Sequence, residues 1–285
     1  LEFLYRIKIA NKIHRLGNSL EAEKIYQELF ALDKDSFDLI YSYALFCRDL
    51  KNFKFAKQLL FNLINKFPSS IYPYISVSEI LRIENRFQDA EKILLEAYRI
   101  DPNNSDLLYN LALLYFNLKN YKSALNYINQ AIKSSNLIDI YKILKAEIFM
   151  NQYKLDEALK ILYEFKDLKD DKNKKIRIQI LISNIFTKQK NFNKSEKILL
   201  GLIKEFNLKL AYLNLSALYS YKNELKKAIK LLKKGINNYP TYLPFYKNLA
   251  TFYRNTGQIK LAINANLFII SKNKFDYGCY FDLSE

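Results

Sequence analysis

Short apolar runs alternate with polar turns along the whole chain. In residues 105–117 and again in 121–134, apolar side chains such as Leu108, Leu111 and Ile128 recur three or four positions apart. This spacing places them on one face of an α-helix. The pattern therefore predicts successive helix–turn–helix units.

Small residues recur in step with these units, most of them 34 positions apart, which is the period of a helix-pair repeat. One series is Ala22, Ala56, Ala90, Ala124, Ala158, Ser195, Ala228 and Ala262. A second series, twelve residues earlier in each unit, is Ala10, Ala44, Ser78, Ala112, Ala146, Ser183, Ser216 and Ala250. Because two helices approach closely only where side chains are small, one small residue on each predicts the crossing point of a pair.

The turns share a pattern such as LKNF at 50–53 and QKNF at 189–192. Asn tolerates the left-handed backbone conformation that ends many helices, so we expect the turn Asn in that conformation. Gly17 and Gly257 are expected to take the same role in their units.

All five prolines fit this register, since none falls inside a predicted helix. Pro68, Pro102 and Pro240 follow second helices, and Pro73 and Pro244 fall in the first turns of first helices, where a missing N–H costs little.

The pattern resembles the tetratricopeptide repeat family. In residues 105–138 the matching positions are Ala112, Tyr115 and Ala124, whereas Asn136 replaces the family's proline and Leu108 its tryptophan. The resemblance implies an all-α, right-handed α-solenoid (a superhelix) of about sixteen antiparallel helices over residues 1–285. The predicted repeats are 3–36, 37–70, 71–104, 105–138, 139–172, 176–208, 209–242 and 243–276, with 277–285 as a partial ninth repeat or cap.

A charged run interrupts the regular array at 166–175. It is predicted to be a bulged, mobile loop, either a solvated connection or a docking loop.

The C-terminal end of the array is the second irregular place. If it is uncapped, it would expose parts of Ile263, Leu267 and Ile270, and self-association through this end is an open interpretation.

The resemblance also implies that first helices line a concave groove that holds a peptide. The residues placed there are Tyr41, Leu45, Arg48, Tyr72, Ile75, Arg82, Tyr109, Asn110, Leu113, Phe116, Arg177, Asn184, Asn214, Tyr221 and Asn248. Asn110, Asn214 and Asn248 share a position at which family members grip a peptide backbone, although Asn is abundant throughout the chain. Lys247 is followed by Thr251 rather than by the Asn of the family's carboxylate clamp, so a receptor for chaperone tails is not predicted.

Positive charge concentrates in the second half of the chain. The net charge is +16, and residues 1–138 contribute only +3 of it. A basic face is predicted at Lys226, Lys227, Lys230, Lys233 and Lys234. It is either a footprint for RNA or an anionic membrane surface, or a solvated face of a Lys-rich composition.

Residues for catalysis are sparse. The chain has no Gly-rich phosphate loop, GxSxG or HExxH motif, and its single histidine, His14, has no evident catalytic partner. Cys47 falls at a core position, and Cys47 and Cys279 show no metal-site spacing. We therefore expect no enzyme activity, no metal site and no cofactor.

Taken together, these features predict a noncatalytic scaffold that binds an extended peptide or helix of a partner protein. The open alternatives are the basic surface just described and the targeting module of a longer enzyme. No apolar run approaches the roughly 18 residues of a membrane span, so a cytoplasmic protein is expected. A periplasmic or membrane-attached one, with a missing N-terminal segment before Leu1, is the alternative.

Overall fold

The computed structural model of the chain describes residues 2–134, 138–165 and 171–273. All regular secondary structure in these residues is α-helical. The chain divides into two compact units, Leu1–Ile148 and Phe149–Glu285. The single array expected over 1–285 stays a prediction.

Sixteen helices lie in the described residues, and they alternate as first and second helices of the repeats. Those of the first unit are α1 Glu2–Arg15, α2 Ser19–Leu32, α3 Phe37–Asp49, α4 Phe53–Lys66, α5 Ile71–Ile83, α6 Phe87–Ile100, α7 Ser105–Asn117 and α8 Tyr121–Ser134. Helix α9, Ile138–Asn151, contains the boundary between the units. Those of the second unit are α10 Leu155–Tyr163, α11 Lys172–Lys188, α12 Phe192–Phe206, α13 Lys209–Tyr221, α14 Leu225–Asn238, α15 Leu243–Asn255 and α16 Ile259–Lys272.

Both series of small residues lie at the buried contacts between helices. Every member is buried, and Ala112 and Ala124 have no exposed surface. The serines in the first-helix series satisfy their hydroxyls locally, since Ser78 donates to the carbonyl oxygen of Ile75 at 2.7 Å and Ser183 to that of Ile180 at 2.7 Å. A serine can therefore replace alanine at the crossing without leaving a buried polar group unpaired.

The turns follow the prediction only in part. Asn85 in the turn 84–87 takes the left-handed conformation, with φ of 59°, and Gly17 and Gly257 do the same in their turns. In LKNF, however, the left-handed residue is Lys51, with φ of 63°, and not Asn52. Asn52 instead begins α4, where its side chain accepts a hydrogen bond from the N–H of Phe55. Asn18 does the same for α2, one residue after Gly17. The short polar side chain is more useful as an N-cap, so the preceding residue absorbs the unfavourable backbone angle.

Lys119 holds this strained position between α7 and α8, with φ of 58°. We expect Lys119→Gly to stabilise the first unit by about 1 kcal/mol, because glycine adopts positive φ without a steric penalty. Lys122 is equally exposed but lies inside α8. As a control, Lys122→Gly should cost about 1 kcal/mol. Urea unfolding followed by circular dichroism measures both, and a loss of stability in Lys119→Gly would contradict the explanation.

The charged run differs from the prediction as well. Residues 166–170 lie outside the described part, but Lys172–Lys175 are helical and open α11. Asp171 caps this helix by accepting from the N–H of Lys174 at 2.9 Å. A capping carboxylate at a helix N-terminus outweighs the mutual repulsion of exposed lysines.

The prolines take the predicted places, with Pro244 at the start of α15 and Pro68 after α4. The predicted half-repeat at 277–285 lies outside the described residues. Among the residues the structure describes, no helix has the length and apolarity to cross a membrane.

Candidate functional site

First helices of successive repeats contact one another directly. Helix α5 contacts both α3 and α7 in the first unit, and α13 contacts both α11 and α15 in the second. Contacts of this kind do not join successive second helices in the described residues. Each row of first helices is therefore the tightly spaced side of its unit, and we call its exposed surface the inner face of that unit.

The inner face of the first unit carries apolar and aromatic side chains. Tyr72 on α5 is 49% exposed. Leu45 on α3 and Leu113 and Phe116 on α7 are half-buried, each with part of its surface open. These four side chains come from three successive first helices, α3, α5 and α7, each in contact with the next, and we call them the apolar strip of the inner face.

Polar contacts between neighbouring helices hold this strip in place. The hydroxyls of Tyr41 and Ser76 share a hydrogen bond of 3.0 Å between α3 and α5. Arg48 donates from Nη1 to Oε2 of Glu79 at 2.7 Å and also pairs with Asp49 at 3.0 Å. The charges on this part of the face are therefore compensated within the protein.

Arg82 on α5 is half-buried, as Leu45, Leu113 and Phe116 are. Burial lowers the pKa of Arg82, and the charges of Glu79 and Tyr109 oppose that shift. Its Nε is buried without a hydrogen-bond partner among the described residues. Part of the guanidinium is therefore withdrawn from solvent, and Arg82 is not a fully exposed anchor.

Two predicted groove residues belong to the core. Ile75 is 7% exposed and Asn110 6% exposed. The amide of Asn110 donates to the backbone oxygen of Asp106 at 2.9 Å, within its own helix. Tyr109 beside it packs on Tyr141, with ring centroids 5.3 Å apart. Contact between adjacent first helices covers these side chains, so Ile75 and Asn110 are not available to a peptide in this structure.

The inner face of the second unit is more polar. The amide of Asn214 donates to Oδ1 of Asn184 at 3.2 Å, which brings two predicted groove residues together. Tyr221 is 75% exposed at the end of α13. Asn248 is half-buried on α15, and Arg177 is exposed on α11. No aromatic strip comparable to that of the first unit links these residues within the described part.

All five lysines of the predicted basic face are exposed on α14. They are not equivalent, however. Lys227 pairs with Glu224 at 2.9 Å, and the ammonium of Lys233 lies 5.7 Å from the ring centroid of Tyr253. Lys227 and Lys233 of this face therefore already make contacts within the protein.

Contacts between lysines and aromatic rings were not predicted from the sequence. The ammonium of Lys209 lies 4.9 Å from the ring centroid of Tyr239 and 5.2 Å from that of Tyr242. Lys194 lies 5.2 Å from Phe186 in the same way. Such pairs are attractive by about 0.5–1 kcal/mol at exposed sites. Lys194 and Phe186 lie on different helices, and Tyr239 and Tyr242 lie in the connection between α14 and α15. Only a repeat-by-repeat comparison of the sequence could have suggested these contacts.

A cavity of about 640 Å³ between α10, α11 and α12 was also not predicted. Ile178, Ile182 and Phe206 line its apolar side, and Lys175 and Glu205 form an ion pair of 2.9 Å at its polar side. Helix α10 has nine residues, whereas α12 has fifteen.

Part of the chain matches a known repeat family. Residues 81–148 match the family model described as tetratricopeptide repeat. These residues are tetratricopeptide repeats.

The relatives of the chain are distant. The chain spans between a fifth and a quarter of the length of the curated relatives it matches. Human protein O-mannosyl-transferase TMTC3 is 27% identical over 194 residues, which are 66% of this chain and 21% of that protein. The Bos taurus BBSome complex member BBS4 is 24% identical over 125 residues, 44% of this chain and 24% of that protein. The crystal structure of yeast Tom70 has a TM-score of 0.68 at 18% identity, covering 93% of this chain and 57% of that one.

His14 and Cys47, the residues examined for a catalytic role, both pack against other side chains. His14 packs edge-on against Phe46 and contacts Oγ of Ser19 at 3.1 Å through Nδ1. Cys47 is buried, and burial raises the pKa of its thiol to about 12, so the thiolate is disfavoured at neutral pH. The described residues contain no group of three or more side chains suited to a metal ion.

Proposed function

We propose that the protein is a scaffold whose first unit binds an extended, apolar peptide segment of a partner protein on its inner face. A protein-interaction role in general agrees with the tetratricopeptide fold. The finer proposal names the surface and the chemistry of the segment. It does not include the buried Ile75 and Asn110.

The observation that carries the proposal is the strip of Tyr72, Leu45, Leu113 and Phe116. Partly exposed aromatic side chains are typical of binding hot spots. They offer apolar area to a partner, and the half-buried members lose less side-chain freedom on binding than fully exposed ones would.

The charges beside the strip determine how binding should respond to salt. Arg48 is already paired with Glu79 and Asp49, so a partner gains little from an additional charge there. Contacts with the strip are apolar, and apolar contacts are not screened by salt. We therefore expect affinity for a peptide that changes little between low and high ionic strength.

The test uses a library of random displayed peptides selected on the intact protein at high salt. Enriched peptides should carry aromatic or aliphatic side chains. Their affinity should fall at least about tenfold in a Tyr72→Ala/Phe116→Ala variant, since truncating a hot-spot residue costs about 2 kcal/mol or more. Fluorescence anisotropy with the selected peptides measures this change.

The matched control is Phe61→Ala, which removes an aromatic ring 42% exposed on α4, a second helix of the same unit. It should leave the affinity within about twofold. Failure to enrich any peptide, or equal losses in the two variants, would refute the proposed surface.

The name of one relative agrees with this proposal, and the name of another agrees with the alternative that the chain is a module of a longer enzyme. BBS4 is named as a member of a complex, which is consistent with a role in assembly. TMTC3 is named as a transferase, and this chain matches about a fifth of it. If the chain is the partner-binding module of a longer enzyme, the full reading frame will encode a catalytic domain beside these repeats.

A further inference from the structure

The second unit contains a region of strongly unbalanced charge. Residues 172–272 hold twenty lysines and arginines against three glutamates. All three glutamates already form ion pairs with lysines. Glu196 pairs with Lys222, Glu205 with Lys175, and Glu224 with Lys222 and Lys227. Twenty basic against three acidic side chains leave a net charge of +17 over residues 172–272.

Part of this charge forms a regular surface on the second helices. Lys226, Lys230 and Lys234 are exposed and lie four residues apart, so they form one stripe along α14. Lys197 and Lys204 are exposed on α12, two helical turns apart. We call these five lysines the outer basic face, because second helices lie opposite the inner face.

Exposed aliphatic side chains accompany the outer basic face. Leu200 lies between the two lysines of α12 and is 46% exposed. On α16, the next second helix, Ile263 is 40% exposed and Leu267 50% exposed. The exposed side chains on the described α12, α14 and α16 include no aromatic ring.

We propose that the outer basic face docks the second unit onto a membrane surface of anionic lipids. Clustered lysines are attracted to such a surface, and aliphatic side chains gain by entering the boundary between headgroups and acyl chains. A single-stranded nucleic acid would instead profit from exposed rings on which bases stack, and this surface has none in the described residues. Of the twenty basic residues, eighteen are lysines, which act as point charges rather than as the planar forks that suit base and phosphate recognition.

Docking through this face is independent of the proposed peptide binding. The lysines and aliphatic side chains belong to the second helices of the second unit, whereas the peptide strip belongs to the first helices of the first unit. The two proposals can therefore fail separately.

The test measures flotation of the intact chain with vesicles of neutral phosphatidylcholine, with and without phosphatidylserine. The wild type should bind only the anionic vesicles. A Lys226→Gln/Lys230→Gln/Lys234→Gln variant should bind them about a hundredfold more weakly, since each lysine near the surface is worth about 1 kcal/mol. A control, Lys24→Gln/Lys54→Gln/Lys122→Gln, removes the same charge from exposed positions of the first unit and should lose less than about threefold.

A third variant, Ile263→Ser/Leu267→Ser, separates lipid from nucleic acid. Vesicle binding should weaken several-fold, while binding to a 40-nucleotide RNA probe should stay unchanged. Circular dichroism confirms that each variant is folded. Equal losses in the two lysine variants would show a diffuse charge effect and overturn the proposal. So would a wild type that prefers the RNA probe, or one that binds neither probe.

Discussion

Replacing Phe245 by alanine should destabilise the second unit by about 4 kcal/mol, the largest effect we expect from a single substitution. Phe245 has no exposed surface. Its ring meets Tyr242 and Tyr212 edge-to-face, at centroid distances of 4.9 Å and 6.0 Å. Truncating a buried Phe typically costs about 3–5 kcal/mol, because the apolar surface and the filled volume are both lost.

The ring also packs against the backbone of a neighbouring helix. A Cβ placed on Gly235 of α14 would lie 3.0 Å from two carbon atoms of the Phe245 ring. Alanine would therefore remove the contact of the ring with α14 and leave a cavity beside that helix.

Urea unfolding monitored by circular dichroism gives the stability of the variant, and hydrogen exchange locates the loss. Amides of α13–α15 should lose protection, while those of α3–α8 keep it. Phe61→Ala, at an exposed site, should change stability by less than about 1 kcal/mol. A comparable loss in both variants, or a loss of protection spread evenly over both units, would show that Phe245 has no special role.

Enlarging Ala112 to leucine should destabilise the first unit by about 3 kcal/mol. Ala112 on α7 and Ala124 on α8 are both without exposed surface and belong to one apolar cluster with Leu108 and Ile128. The added carbon atoms would have to enter a close-packed crossing, and overpacking of this kind costs about 1–3 kcal/mol, occasionally more. The two helices must then separate or the side chains must leave their preferred rotamers.

The repeats themselves provide the control for this substitution. Ser78, Ser183 and Ser216 occupy the equivalent position in other repeats, and Ser216 donates to the carbonyl oxygen of Leu213 at 2.8 Å. Ala112→Ser should therefore cost less than about 1.5 kcal/mol, because the hydroxyl can bond three residues back. Thermal unfolding compares the two variants, and a leucine variant as stable as the serine variant would contradict close packing at this crossing.

The fold was predictable because the regular spacing of small residues does not depend on the side chains around them. Small residues at Ala112 and Ala124, and at the matching places in other repeats, mark the crossings wherever the flanking sequence varies. The turn was less predictable. Lys119 is left-handed only because the following Asn120 is used as a cap, accepting from the N–H of Ser123 at 3.2 Å. The preference of Asn for the left-handed conformation predicted Asn120 there, whereas Lys119 adopts it in this turn.

The candidate surface was predictable only in part. The rule that places Tyr72 on the inner face also places Ile75 and Asn110 there, but contact with the neighbouring first helix buries the last two. How much of a side chain remains exposed depends on the residues one repeat away. The ion pair that distinguishes Lys227 from Lys230 is local by contrast, because Glu224 lies three residues before Lys227.

The pattern of contacts between helices also determines how the chain responds to tension. In the described residues a helix contacts only the next one or the next but one along the chain. No long-range contact therefore ties the two ends of a unit together, and removing a terminal helix pair takes away only the contacts of its immediate neighbours. A pulling force would peel such a unit in small successive steps from an end. Each step would reverse readily when the force falls, since re-forming a pair requires only local chain closure.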